Sequence, residues 1–259
     1  MLFRSIKVTG AITPPTPGDV IGACFNNITA TSATSVACTS IRRSAATGRL
    51  SGPTSTVAGL PTPLTNGGLL KTDGVDLVIN YKRDIGFADL ILNFAGNYTH
   101  SATFKSSPSI PTARECVGYY SANCGNSSGQ IQPKYSFNQR TTLKFDKIDV
   151  SLLWSHINSV KYEPGLRPLF VGTVTGRGPI VGRSVNFNKI AAYDYFDLTS
   201  RFHVSDNIDL TLSAFNIFDK QPPVVGGQAG TTTANSGNTF PTLYDVVGRS
   251  YSATVHFKF

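Results

Sequence analysis

The 259-residue sequence predicts an all-β protein, an antiparallel transmembrane β-barrel with short turns at one end and long loops at the other. Three observations lead to this class: alternating apolar and polar residues, tight links that alternate with long loops, and few charged side chains. Charged residues make up 15% of the sequence, against roughly 25% in an average soluble domain. Such a composition suits a sheet with one apolar face and one polar, weakly charged face.

The alternation is clearest at the C-terminus. Over residues 251–259 the apolar side chains fall on one face of an extended strand and the polar ones on the other. The apolar set is Tyr251, Ala253, Val255, Phe257 and Phe259. One face therefore suits hydrocarbon and the other suits water, as in a strand that crosses an outer membrane.

Seven further segments precede this strand and give a total of about eight. The same period of two recurs around residues 208–214, 196–202, 149–155, 140–145, 88–99 and 75–82, and a short segment covers 3–12. Only Ser205-Asp206-Asn207 and Asp146-Lys147 link two of the neighbouring pairs. Such short links are typical of hairpins, because Asp and Asn tolerate the backbone of a tight turn.

Long stretches rich in Gly, Pro, Ser and Asn separate the hairpins, at 13–66, 105–133, 163–189 and 219–244. Compact soluble domains rarely carry several structureless loops longer than about 15 residues. Bacterial outer-membrane barrels combine short periplasmic turns with long extracellular loops. A soluble all-β sandwich is the alternative for the alternation, but its loops are short at both ends.

Several other classes are disfavoured by the sequence. No window approaches 18 consecutive apolar residues, so a transmembrane helix is excluded. The net charge of +8 is spread along the chain without a basic run, and we therefore expect no nucleic-acid partner. No signal peptide is visible after Met1, so we expect either a cytosolic protein or a missing N-terminus.

The four cysteines form two local pairs, Cys24 with Cys38 and Cys116 with Cys124, each inside one long loop. Disulfides in an oxidising compartment are the simple interpretation. Each would stabilise its loop by about 2 to 3 kcal/mol. Four unrelated free thiols are the alternative.

No catalytic, cofactor-binding or metal-binding motif stands out. The segment Gly125-Asn-Ser127-Ser-Gly129 matches a hydrolase signature, but no strand precedes it and no helical pattern follows it. The histidines lack the spacing of a zinc site. We expect a protein that is not an enzyme and needs no cofactor.

Three motifs resemble the barrel of TonB-dependent outer-membrane receptors. Residues 210–222 resemble the family's penultimate strand through Asn216, Phe218, Asp219, Lys220 and Pro222. The ending resembles the family's last strand through Tyr244, Gly248, Arg249, Tyr251 and Phe259, and residues 72–76 resemble an upstream strand through Gly74 and Asp76.

The resemblance implies that residues 1–259 are a single partial barrel domain, about eight C-terminal strands of a probable 22-stranded barrel. The family's plug domain and signal peptide are absent from the sequence. We therefore expect a fragment of a receptor in the cell outer membrane of a Gram-negative bacterium. Closure as an independent eight-stranded barrel stays open, since that size is large enough to be filled by side chains.

The resemblance further implies energy-dependent uptake of a scarce ligand such as siderophore-bound iron, cobalamin or a glycan. The ligand-facing candidates in the loops are Tyr119, Tyr120, Arg167, Arg177 and Arg183, because aromatic and Arg side chains combine contact area with strong donors. The expected partners are outer-membrane lipid and lipopolysaccharide, the rest of the barrel and the plug, and TonB through the plug. A small self-contained barrel acting as a passive pore or adhesin is the alternative function.

Overall fold

The computed structural model describes residues 2–26, 28–50, 59–61, 63–107, 113–121, 123–124, 131–165, 167–178, 180–226 and 239–258. Over these ranges, none of the helices is long and apolar enough to cross a membrane. Strands account for most of the regular structure. The predicted all-β fold is therefore confirmed.

The helices are short and lie in the first long connection: α1 covers Pro17–Phe25, α2 covers Val36–Thr39, and a single 3-10 turn covers Ser32–Thr34. Eight strands form the main sheet, which we define as the wall: β1 (Leu2–Thr13), β2 (Thr65–Asp84), β3 (Asp89–Lys105), β7 (Tyr135–Lys144), β8 (Ile148–Ile157), β13 (Tyr193–Ser205), β14 (Ile208–Phe215) and β15 (Ser250–Phe257). Seven shorter strands lie between them: β4 (Arg114–Glu115), β5 (Tyr119–Tyr120), β6 (Ile131–Gln132), β9 (Val160–Tyr162), β10 (Val171–Thr173), β11 (Ser184–Asn186) and β12 (Lys189–Ile190).

Each wall strand pairs antiparallel with the wall strand that follows it in the chain, in the order β1-β2-β3-β7-β8-β13-β14-β15, and β4 adds to β3. Tight turns join β2 to β3, β7 to β8 and β13 to β14 at one end. In the first of these turns, Gly86 adopts a φ of +92° and its N–H donates to Asp84 Oδ1 over 2.7 Å. The other end carries four long connections, which is the predicted asymmetry.

The strand registers separate two faces of the wall. One row of the outward face runs through Leu92, Thr141, Leu152, Leu198, Ala214 and Tyr251. Inward side chains are mainly polar and pair across strands, as Asn93 Nδ2 does with Asn80 Oδ1 at 2.8 Å. Thr142 and Ser151 hydroxyls likewise lie 2.8 Å apart. The face that was predicted to be apolar is therefore the outward one.

The long connections differ from the sequence prediction of structureless loops. We define segments 14–64, 106–134, 158–192 and 216–249 as the loop cap. They contain both helices and the seven short strands, and four of these form a second sheet in the order β12-β9-β5-β6. The third connection starts earlier than the predicted residue 163, because β8 ends at Ile157 and β9 pairs within the second sheet. The parallel β5–β9 ladder joins two connections, a pairing that the composition of one loop does not reveal.

The wall is open at both edges. Among the described residues, β1 pairs with β2 alone and β15 with β14 alone, and no ladder joins β1 to β15. The side chains of both edge strands are largely exposed on both faces. Exposed strand edges are costly in lipid because their backbone groups lack partners. The described strands therefore do not close into an eight-stranded barrel.

Candidate functional site

Aromatic side chains mark the outward face near the long-loop end of the wall. We define the outer girdle as Tyr98, Tyr135, Trp154, Phe196 and Tyr251. Tyr251 shares a row with Leu92, which lies six residues below Tyr98 on β3, and five strand-to-strand steps separate β3 from β15. The girdle therefore shifts along the strands by six residues over five steps, a stagger of about 1.2 residues per strand. At the usual strand spacing, this stagger corresponds to a strand tilt of about 40°. Transmembrane barrels have this tilt.

An apolar band lies below the outer girdle. On β3, the outward residues from Leu90 to Tyr98 cover about 26 Å along the strand, which is about 20 Å across a membrane at that tilt. Near the tight turns, the rings of Phe87 and Phe145 stack with centroids 6.4 Å apart. Aromatic rings therefore border the apolar band at both ends, as in membrane barrels.

Trp154 is the only tryptophan of the chain. Its indole Nε1 donates to Asp194 Oδ1 over 2.7 Å, and His156 Nδ1 lies 2.8 Å from the same oxygen. The ring packs edge-on against Phe137 with centroids 4.8 Å apart. An indole with an apolar ring and a bonded N–H suits a membrane–water interface.

The inward face forms a cleft of about 780 Å³ beneath the last long connection. Leu243, Asp245 and Val247 form its roof, and wall residues form its floor. The carboxylates that line it in the described part of the chain are those of Asp76, Asp197 and Asp245. Asp76 also forms an ion pair with Arg4 at 3.2 Å. The lining thus mixes apolar and polar side chains, with apolar surface the larger share, and its three carboxylates make it weakly acidic.

The motif residues at the end of β14 and the start of β15 form one hydrogen-bonded unit, which we define as the clasp. Asn216 and Asp219 adopt left-handed φ values of 49° and 51°. Asn216 donates through its side chain to Asp245 Oδ2 over 3.0 Å, and Asp219 Oδ1 accepts from the Arg249 N–H over 3.0 Å. The clasp therefore ties the two ends of the last long connection together.

Gly248 belongs to the clasp for a steric reason. It adopts a φ of +80°, and a Cβ at this position would lie 2.9 Å from Asp219 Oδ1.

Further motif residues lie outside the clasp. Upstream, a Cβ on Gly74 would collide with the backbone oxygen of Tyr98, and Asn97 donates to Asp76 over 2.6 Å. Phe218 lies outside, exposed, with its ring edge-on to Phe196 at 5.5 Å. Phe259 and the segment Gly125–Gly129 fall outside the described residues.

The loop cap has a hydrophobic core of its own. Its buried members come from three connections and the wall strands next to them: Tyr120, Ile131, Ile157, Val160, Ile190, Tyr195, Val225, Phe240 and Tyr244. The Tyr120 hydroxyl donates to the backbone oxygen of Phe187. Burial raises the pKa of the Tyr120 and Tyr244 hydroxyls well above the usual value. The three connections therefore fold as one packed unit.

A buried charge cluster joins three connections of the cap. The Arg114 guanidinium forms ion pairs with the carboxylates of Asp19 and Glu163. All three side chains are nearly inaccessible to solvent, with exposures of 13%, 5% and 2%. Ser121 donates to Glu163, and Thr16 donates to Asp19. One cation thus holds two buried anions, and removal of Arg114 would leave both without a counter-ion.

Both cysteine pairs form disulfides in the structure, Cys24 with Cys38 and Cys116 with Cys124. The first links the two helices of the cap. The second packs with Phe104 and Leu70 at the top of the wall. Their positions place both crosslinks in the cap rather than in the apolar band.

The ligand-facing candidates do not form one site. Tyr120 is fully buried at 0% exposure, so its prediction as ligand-facing is wrong: its ring completes the core of the cap. Tyr119 is partly exposed on β5. Arg167, Arg177 and Arg183 are exposed on the connection between β8 and β13. Arg177 lies in the loop of the β10-β11 hairpin, and Arg183 directly precedes β11. These four remain proposals.

The charge cluster is the feature that sequence reasoning missed. Asp19, Arg114 and Glu163 lie in three different connections, and no local pattern relates them. The segment Thr16-Pro17 before Asp19 does carry the start signal of a helix, since Pro is favoured in the first helical turn. That signal would have found α1 but not its ion pair.

No family model matches the chain, and no curated protein matches it. Among solved structures, the chain is similar to the FrpB iron transporter from Neisseria meningitidis, with 13% identity and a TM-score of 0.51 over 99% of this chain and 28% of that one. The ferric enterobactin receptor PfeA from Pseudomonas aeruginosa has 15% identity and a TM-score of 0.48, over 81% of this chain and 25% of that one. The siderophore receptor PirA from Acinetobacter baumannii has 16% identity and a TM-score of 0.43, over 76% and 23%.

The chain spans little more than a quarter of the length of FrpB. At 13% identity the likeness establishes the fold alone. That fold agrees with the staggered girdle, the two-faced wall and the long connections at one end. The chain therefore has the fold of part of the β-barrel of TonB-dependent receptors such as FrpB.

Proposed function

We propose that the chain is part of an outer-membrane receptor barrel that takes up a scarce ligand, such as siderophore-bound iron, cobalamin or a glycan. The wall crosses the outer membrane and the loop cap faces the outside. In the intact receptor, further strands complete the barrel, a plug fills it, and TonB acts through that plug. The protein is a transporter rather than an enzyme.

The staggered girdle carries this proposal. An outward apolar band, bordered by aromatic rings that shift by about one residue per strand, is what a tilted barrel in lipid requires. Soluble sandwiches bury such a face against a second sheet. The outward rings here are exposed instead: Tyr251 is 73% exposed and Trp154 is 37% exposed.

The inner face of the wall supports passage of a ligand along it. The cleft of about 780 Å³ is lined by apolar side chains together with carboxylates, amides and hydroxyls. The polar groups tolerate hydrated cargo. Its roof belongs to a cap with a packed core, so ligand capture involves surfaces of the cap such as Tyr119, Arg167, Arg177 and Arg183. FrpB is an iron transporter by description, and iron complexes are accordingly one of the proposed ligand classes.

The single tryptophan provides a direct test of lipid contact. The chain is exported with a signal peptide, recovered from the outer-membrane fraction and reconstituted with brominated phosphatidylcholines. We expect quenching of Trp154 fluorescence, strongest for bromines near the headgroup, because the girdle lies at the interface.

A double variant, Leu153→Trp with Trp154→Phe, is the matched control. Leu153 is the inward neighbour, opposite Arg140 and Asp197. In the double variant, the indole at position 153 points inward and should be shielded from brominated lipid. Equal quenching of both proteins, or recovery of the chain as a soluble monomer, contradicts the proposal.

A further inference from the structure

Two lysines of the wall face each other across neighbouring strands. Lys7 on β1 is the register partner of Lys71 on β2, and both side chains are exposed. Like charges directly opposite in an antiparallel pair repel each other. No ion pair joins either lysine to a residue that the structure describes. The pair is therefore a double positive charge that no described carboxylate neutralises through an ion pair.

The stagger of the girdle sets the level of this pair. Phe3, Val75 and Tyr98 share one outward row, and the lysines lie four residues beyond it on the same face. Extending the stagger of about 1.2 residues per strand to β2 and β1 places the two lysines about 4 to 7 Å outside the girdle. Lipid headgroups begin at this level.

Neighbouring charges add to the positive character. Lys105 lies in the next outward row, opposite Leu69, and Lys134 Nζ lies 5.6 Å from the centre of the Tyr98 ring. Two carboxylates are nearby, and one of them, Asp73, lies in the adjacent row of the same face, opposite Ser5. Each carboxylate has a partner of its own. Asp73 Oδ2 lies 2.8 Å from His100 Nδ1, and Glu115 accepts from the Ser101 hydroxyl over 2.7 Å.

We propose that Lys7 and Lys71 bind the phosphate group of an outer-leaflet lipid whose acyl chains lie against the apolar band. The proposal rests on the proposed function only in requiring that the wall faces lipid. A phosphate between the two ammonium groups offsets their repulsion with charge-assisted hydrogen bonds. A lipid fits better than free phosphate, because exposed Phe3 and half-buried Val75 continue the same face below the charges, beyond the row of Ser5 and Asp73.

The test measures lipid retention by the full chain in detergent micelles. Native mass spectrometry compares bound phosphatidic acid with bound phosphatidylcholine. We expect wild type to retain phosphatidic acid selectively. The double variant Lys7→Gln with Lys71→Gln should retain it about 25-fold less, because each lysine near an anionic headgroup contributes about fivefold and the two factors multiply. Arg at both positions should restore retention.

The cap offers a matched control, because Lys161 on β9 and Lys189 on β12 are also direct register partners. Gln at both of these positions removes the same charge away from the apolar band and should leave retention unchanged. A heat-dependent gel shift of every variant reports folding. A protein without this shift contradicts the proposed membrane function rather than the lipid site.

Three results would overturn the site: retention that survives loss of Lys7 and Lys71, an equal loss in the Lys161 and Lys189 control, or displacement of the lipid by millimolar inorganic phosphate. The last result would assign the pair to a soluble anion. If the double variant fails to fold, the single Lys7→Gln and Lys71→Gln variants replace it, each with an expected loss of about fivefold.

Discussion

The wall and the loop cap place the same residue type in opposite environments. Tyr251 on the wall is 73% exposed, whereas Tyr120 and Tyr244 in the cap are 0% and 1% exposed. The wall turns its apolar side chains outward and needs lipid to cover them. The cap gathers its own hydrophobic core from several connections. One chain therefore folds against two solvents, hydrocarbon for the wall and water for the cap.

The two regions also differ in what stabilises them. The wall depends on continuous backbone ladders between neighbouring strands, which hydrocarbon strengthens by excluding water. The cap depends on buried aromatic rings, two disulfides and the charge cluster. If this separation is correct, a change in the cap should lower the stability of the cap and leave the wall intact.

The largest effect should follow from Arg114→Leu. It leaves the buried carboxylates of Asp19 and Glu163 without a counter-ion, and loss of one partner of a buried ion pair costs about 3 to 5 kcal/mol. Hydrogen exchange should accelerate at cap amides such as Lys161 N–H, which donates to Gly118 O over 2.9 Å. Wall amides should keep their protection.

Arg183→Leu is the control for this charge loss, because Arg183 is exposed in the cap. It should change local stability by less than about 0.5 kcal/mol. If Arg114→Leu releases wall amides to the same degree, the wall and the cap are one cooperative unit and the comparison fails.

Removal of the Cys116–Cys124 disulfide should have the next largest effect. Alanine at both positions should destabilise the cap by about 2 to 3 kcal/mol, because the crosslink restricts the unfolded loop. Limited proteolysis should cut the second connection earlier, while the heat-dependent gel shift of the wall persists. The Cys24–Cys38 disulfide serves for comparison, since it lies in the first connection. Its loss should expose only that segment, and cleavage of β7 or β8 in either variant would contradict the separation.

Gly248→Ala tests the clasp, where the cap joins the wall. It should cost about 1 to 2 kcal/mol, from a left-handed backbone and a close contact with Asp219. Thermal unfolding measures the loss. Gly176→Ala is the matched control, because Gly176 also has a positive φ of 102° but a Cβ there would meet nothing within 4 Å. An equal loss of stability in the two variants would mean that the contact with Asp219 contributes nothing.

The smallest effect should be a pH dependence at Glu115. Burial alone would raise the pKa of this carboxyl, but hydrogen bonds from Ser101 and from the Ala102 and Val117 N–H groups lower it below its usual 4.5. A lowered pKa means that the contribution to stability is present above pH 4.5 and is lost as the pH falls through the folded-state value. The difference in melting temperature between wild type and Glu115→Gln should therefore shrink on acidification. A difference that grows instead would reverse the assigned sign.

Sequence reasoning succeeded where the signal is local. Alternation around Tyr251 to Phe257 identified the outward face of β15, and Ser205-Asp206-Asn207 identified the turn before β14. A strand shows its two faces within a few residues, because successive side chains point to opposite sides. The same reasoning failed for Tyr120, whose sequence neighbourhood reads as a polar loop although its ring is buried.

The wall strands, their faces, the tight turns and the all-β class therefore follow from the sequence alone. The packed cap, the Arg114 cluster, the clasp and the lysine pair at Lys7 and Lys71 emerge only from the folded chain. Each of these unites residues that lie far apart in the sequence. Their pairing follows from strand register and loop packing, which depend on contacts between distant parts of the chain that no local period records.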